Sequence, residues 1–141
     1  MNPIDPVDSG IQRVQSGSPW EDVYGFARAV AAGDRVVVGG TTSFKGSVLY
    51  GEGDPYEQTR VAIGNALAAI GSFGLGPESV VLTRLILTHA RDADPAGRAH
   101  QEVFGSVRPV MTLSVVSGFV DPRILVEVEL EAYRGDRGST A

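Results

Sequence analysis

RPVMTLSVVSGFVDPRILVEVELEAY, residues 108–133, reads as two β-strands joined by a tight turn. Residues 110–116 are rich in β-branched side chains. Gly118 and the Asp121-Pro122 pair punctuate the run, and residues 124–133 alternate. Val126, Val128, Leu130 and Ala132 fall on one face; Glu127, Glu129, Glu131 and Tyr133 fall on the other. The spacing predicts an apolar face that completes a core. Opposite it stands a row of carboxylates about 7 Å apart, two residues of strand rise. Such a row is self-repelling, so an arginine, a second subunit or a ligand is expected to neutralise part of it.

Working outward from that stretch, the 141 residues make one domain's worth of chain, expected to bury about two-thirds of its unfolded surface. Net charge is −5, which argues against a surface that tracks phosphates and so against nucleic acid. Lys45 is the only lysine; the remaining cations are arginines, suited to planar recognition of carboxylates. Cysteine is absent, which excludes a thiol nucleophile, a thiolate metal site and any disulfide. No basic leader with an apolar run opens the sequence, and no apolar run approaches membrane-spanning length. A cytoplasmic protein without a membrane partner is expected.

Residues 1–10 read as a loose arm, 11–15 as a short strand and 16–22 as a loop with Trp20 anchored beneath it. Residues 26–31 and 35–38 form a hairpin split by Gly33-Asp34, with Phe26, Arg28 and Val30 on one face. Gly39-Gly40 follows, either a bulge or strand end, or a place where backbone approaches a ligand. Residues 41–53 are a surface loop. Asp54-Pro55 opens a helix, with Asp54 as N-cap and Ile63, Ala66, Leu67 and Ile70 as its buried stripe. It stops at Gly71 or Gly74. Residues 80–89 are apolar on both faces, as in a covered central strand. Asp94-Pro95 opens a second helix whose stripe is Ala96, Ala99, Val103 and Phe104, ended by Gly105. Residues 134–141 are a frayed tail. The order β-β-α-β-α-β-β predicts an α+β layer sandwich, two helices on one sheet face. Apolar positions on both strand faces predict that other subunits cover the second face.

Chemistry-bearing motifs are few. Residues 71–76, GSFGLG, follow a helix rather than a strand and are a helix stop, not a dinucleotide fingerprint. His89, Asp92 and Asp94 hint at a metal, but helix capping already explains Asp94, so no metal site is expected. His100 reads as a packing or interface residue. Arg108 is either an interface ion-pair partner or a ligand contact. Glu127 leads the acidic row and is either a solvated strand residue or a cleft carboxylate, with Glu129 and Glu131 left to the surface or an interface.

Taken together, YGFARAV at 24–30, GDRVVVGGTT at 33–42, DPYEQTRVAIGNALAAIGSFG at 54–74, VVLTRLILT at 80–88, RAHQEVFGSVRPVMTL at 98–113 and DPRILVEVELEA at 121–132 resemble the Rid family of reactive intermediate deaminases, also called YjgF or L-PSP proteins. The resemblance implies a chorismate-mutase-like α+β fold over one domain and a homotrimer with ligand clefts between subunits. It implies small carboxylate-bearing ligands, no cofactor, and hydrolysis of enamine or imine intermediates to keto acids and ammonia. By the same resemblance, the family's first-strand tyrosine falls on Phe26, the following glutamine on Arg28 and the Ser-Gly of the next strand on Gly39-Gly40. The cleft asparagine falls on Gly97, and the arginine of Pro-Ala-Arg falls near Val110, with Arg108 two residues earlier. The last-strand glutamate is kept as Glu127. A regular terminal hairpin would set Arg108 beside Tyr133, about 20 Å from Glu127, which makes Arg28 an alternative carboxylate clamp. The expected roles are therefore Glu127 and Arg108 in catalysis and Phe26, Arg28, Gly39, Gly40 and Val110 in ligand binding. A trimer that binds such ligands without turnover is the alternative. An RNA-cleaving role, suggested by an older family label, is disfavoured by the acidic charge and the lack of paired histidines.

Overall fold

A computed structural model describes residues 10–135. The arm at 1–9 and the tail at 136–141 lie outside the described residues. Among the described residues, the strands are β1 (Ile11–Val14), β2 (Ala29–Ala32), β3 (Arg35–Thr41), β4 (Phe44–Lys45), β5 (Val48–Leu49), β6 (Val80–Leu87), β7 (Val110–Val115) and β8 (Val126–Tyr133). The helices are α1 (Pro19–Tyr24), α2 (Pro55–Gly71) and α3 (Ala93–Phe104). Six strands form one sheet in the order β1-β2-β3-β8-β6-β7, and β4-β5 is a separate ribbon. The architecture is α+β.

The alternation in β8 places Val126, Val128, Leu130 and Ala132 in the core, out of water. Helix α2 covers them with Ile63, Ala66 and Ile70, while Leu67 packs at the margin. Asp54 caps α2 as its spacing predicts, its carboxylate accepting from the Glu57 amide at 3.1 Å, with Pro55 in the first turn. Helix α3 adds Ala96, Ala99 and Phe104. It begins at Ala93, and Asp94 is not its cap: that carboxylate turns to Arg98 at 3.4 Å.

The expected terminal hairpin does not form. β7 runs parallel to β6, and β8 pairs antiparallel with β6 on its other side, so β6 lies between them. The reason is topological. A strand that follows β6 through a helix lands parallel beside it. The chain must then cross β6, about 10 Å from one flanking strand to the other, which no two-residue turn spans. Residues 116–125 make that crossing. The fully buried Gln58 of α2 holds the crossing, donating to the Arg123 carbonyl at 2.9 Å and accepting from the Leu125 amide at 2.8 Å.

Four local readings also change. The expected surface loop at 41–53 contains the paired strands β4 and β5. Residues 19–24 are helical rather than loop. Trp20 is not an anchor: it is 56% exposed and stacks on Tyr24 with ring centroids 5.6 Å apart. Arg134 is not frayed, since its Nη1 donates to Gln12 at 2.9 Å and its amide to the Asp34 carbonyl at 2.7 Å.

Candidate functional site

The acidic row is resolved by charge pairing from neighbouring strands. Arg35 of β3 donates to Glu131 through Nε at 2.9 Å. Arg84 of β6 reaches Glu129 at 3.4 Å and Glu131 at 3.9 Å. Glu127 is opposite Ile86 on β6, and among the described residues it has no ion pair. It is partly buried, and that burial, with Glu129 adding repulsion and Arg28 opposing both, holds its carboxyl above the ordinary carboxylate range.

The backbone opposite Glu127 is irregular for a physical reason. The β3–β8 register shifts between Val38 and Thr41, so Gly39-Gly40 is a bulge. A Cβ on Gly40 would collide with Glu127 Oε1, whereas one on Gly39 would meet nothing nearer than the Arg28 carbonyl at 3.9 Å. Gly40 is thus the position where the missing side chain makes room for the carboxylate. The bulge reading of this pair holds, and the close approach at Gly40 is to the Glu127 side chain.

Arg28 completes the floor. It precedes β2, fixed by its amide donating to the Val14 carbonyl at 2.8 Å. Its Nη1 donates to the Gly40 carbonyl and lies 3.4 Å from Thr41 Oγ1, and its Nη2 is 3.7 Å from Glu21. Glu127, Arg28, Gly40 and Phe26 line one cleft of about 1270 Å³. Trp20 and Tyr24 form one rim; Phe44 and Arg123 form the other, the guanidinium 5.7 Å above the Phe44 ring and paired with Asp121 at 2.7 Å. Asn65 of α2 holds this second rim by donating to the Thr42 and Phe44 carbonyls at 3.0 and 2.9 Å.

Other expected site residues lie elsewhere within the chain. Arg108 stands at the end of α3 with its φ at 62° and its Nε donating to the Gly105 carbonyl at 2.7 Å. Val110 is 67% exposed on the edge strand, Gly97 is in α3, and neither lines the cleft. His89 and His100 are outside it too. His100 is buried, with Nε2 2.7 Å from Thr83 Oγ1, and burial lowers its pKa. Among the described residues no cluster of three or more His, Cys, Asp or Glu could hold a metal.

Sequence reasoning missed Phe44, Asn65 and Arg123 of the cleft, and also Glu21, which does not line it but contacts Arg28. Ser18-Pro19-Trp20-Glu21 has the S-x-x-E spacing of a helix start, with proline in the first turn. Recognising it would have converted the expected loop into α1 and made Glu21 an inward-facing position.

The sequence model of the Endoribonuclease L-PSP family matches residues 20–134. The chain belongs to the YjgF/Rid/L-PSP family. An uncharacterized protein of Streptomyces coelicolor is 70% identical to this Rid-family chain over 125 residues, 89% of this chain and 93% of that protein. The crystal structure of a YjgF/YER057c/UK114 family member from Mycobacterium tuberculosis is 36% identical with a TM-score of 0.78, covering 87% of this chain and 98% of that one. Escherichia coli TdcF, crystallised with bound serine, shares the fold at a TM-score of 0.74 and 16% identity, covering 87% and 94%. The Rid-family fold is chorismate-mutase-like, as the resemblance implied. No helix of the described residues is long and apolar enough to cross a membrane.

Proposed function

We propose that this Rid-family protein is a cytoplasmic homotrimer that binds small carboxylate-bearing metabolites in its clefts and hydrolyses enamine or imine intermediates to keto acids and ammonia. The observation that carries the reading is the placement of Glu127, a partly buried carboxyl held above its usual range, in one cleft with the Arg28 guanidinium. Arg28 supplies the charge for a ligand carboxylate. Glu127, whose carboxyl burial holds above the ordinary carboxylate range, supplies the proton donor and acceptor. For 2-aminoacrylate, a proton adds to C3 and gives the imine. Water then adds to C2, the nitrogen takes a proton, the C–N bond breaks, and ammonia leaves as the C=O forms. The net reaction consumes one water and needs no oxidant. The serine held by TdcF is a ligand of the same chemical class.

The trimer rests on β7, an edge strand with Val110, Met111 and Val115 exposed. Arg108 would enter a cleft only from a neighbouring copy. Keto-acid formation from freshly generated 2-aminoacrylate tests the activity. The expected result is a rate above buffer that Glu127→Gln abolishes; a wild-type rate equal to buffer overturns turnover.

A second reading, a binding trimer without turnover, is favoured by the contacts that already engage Arg28 at Gly40, Thr41 and Glu21. Calorimetric titration with 2-keto acids separates the two. Heat without turnover selects the second reading, and silence across a panel of small carboxylates removes both.

A further inference from the structure

Glu21 is 3% exposed, yet it sits on a short helix at the rim of an open cleft. A carboxylate placed there is costly unless its oxygens are satisfied. Oε1 accepts from the Ser16 amide at 3.0 Å; Oε2 accepts from the Ser16 hydroxyl and stands 3.7 Å from Arg28 Nη2. Its backbone carbonyl takes the amides of Gly25 and Phe26 at 2.9 and 3.0 Å, which ends α1 and turns the chain into the cleft. One residue therefore fixes the 16–18 rim, the turn into Phe26 and the guanidinium of Arg28. It does not touch Glu127.

Arg28 has two anionic neighbours to choose between: Glu21, 3.7 Å from its Nη2, and Glu127, which adjoins the same Gly40 that its Nη1 contacts. The charges facing Glu127 are Arg28 from the segment before β2 and Glu129 on its own strand. Arg84 from β6 is committed to Glu129 and Glu131. Arg28 is thus the one cation bearing on Glu127 whose position a further group controls.

We infer that Glu21 is a positioning residue: it holds Arg28 back against the Gly40 carbonyl, so that the guanidinium stays available to a ligand instead of closing onto Glu127. This rests on the reading of Arg28 and Glu127 as the working pair, but its consequence is visible without ligand or turnover. With Glu21 neutralised, the Arg28 charge falls on Glu127 and makes its proton easier to lose.

The test is an NMR titration of the Glu127 side chain in the full chain, for wild type, Glu21→Gln, Arg28→Met and the double variant. In Glu21→Gln the Glu127 midpoint is expected to fall by about one pH unit, tenfold in proton affinity. In the Arg28→Met background the same substitution is expected to move it far less, because the effect travels through the guanidinium. Glu21→Asp keeps the charge on a shorter stem and should fall between wild type and Glu21→Gln; it also serves if Glu21→Gln does not fold. An unmoved midpoint, or an equal shift with and without Arg28, overturns the inference. Failure of the deaminase assay with the predicted titration intact would overturn only the proposed activity.

Discussion

At Glu127 the burial on which the proposed proton transfer draws should also destabilise the protein. Its folded-state pKa is raised by burial above the unfolded value near 4.5. The folded form therefore binds the proton more tightly, and stability is full below about 4.5 and declines as pH rises through the folded value. Glu127→Gln removes that decline, so the variant is expected to be more stable than wild type at pH 7, by up to about 1 kcal/mol, and equal to it in acid. Urea midpoints from pH 4 to 8 check this; a variant less stable than wild type at pH 7 would count against it. Gly40→Ala separates site from fold in another way. The atom its Cβ meets is the far end of a flexible side chain, so the carboxylate moves and the backbone does not. The expected outcome is a stability loss under about 1 kcal/mol with at least a tenfold loss of keto-acid affinity by calorimetry. Of this pair, Glu127 was legible in the strict alternation of its strand. Which arginine shares its cleft within the chain was not, because Arg28 and Arg108 differ only in what the tertiary fold brings near them.

Among the elements, β6 and α3 are joined by the polar contact of His100 with Thr83. Burial holds the His100 pKa below the ordinary 6.5, so the ring is neutral in both folded and unfolded states above that value. As pH falls below about 6.5 the unfolded chain takes up the proton first, and stability drops until the folded ring titrates. His100→Gln should flatten this limb while lowering stability at pH 7 by about 1–2 kcal/mol, from the imperfectly replaced hydrogen bond and ring packing. Equilibrium unfolding at pH 5, 6 and 7 decides it, and a wild-type curve no steeper than the variant's would refute it. Both long helices and the core strands were readable from period, and α2 also from its Asp54 cap, whereas the Asp94 cap expected for α3 was not one. The hairpin of β7 and β8 was not: two strand-like runs adjacent in sequence carry no mark of the strand that separates them. Residues 116–125, with Gly118 and Asp121-Pro122, signal a turn equally well whether it joins neighbours or bridges a third strand.

For the whole molecule, the exposed edge at β7 carries the expectation of assembly. Val110 contributes nothing to the core of the single chain, so Val110→Lys should leave its circular dichroism and unfolding midpoint within about 0.5 kcal/mol of an isolated wild-type chain. A lysine on an edge blocks association. Light scattering coupled to size exclusion is expected to give three times the chain mass for wild type and one for the variant; a monomeric wild type would defeat the trimer. Assembly was inferred from apolar residues on two-faced strands, a signal that says a surface is covered without saying where each copy sits. The strand order has one more implication. β8 is the last strand in sequence yet lies third from one edge of the sheet, between β3 and β6. Until residue 133 has left the ribosome, the β1–β3 meander and the β6-α3-β7 unit have no shared strand to join them. The nascent chain must therefore shelter two unfinished half-sheets, each showing a bare central edge, and this is the stage at which it is most exposed to mispairing and most in need of a chaperone.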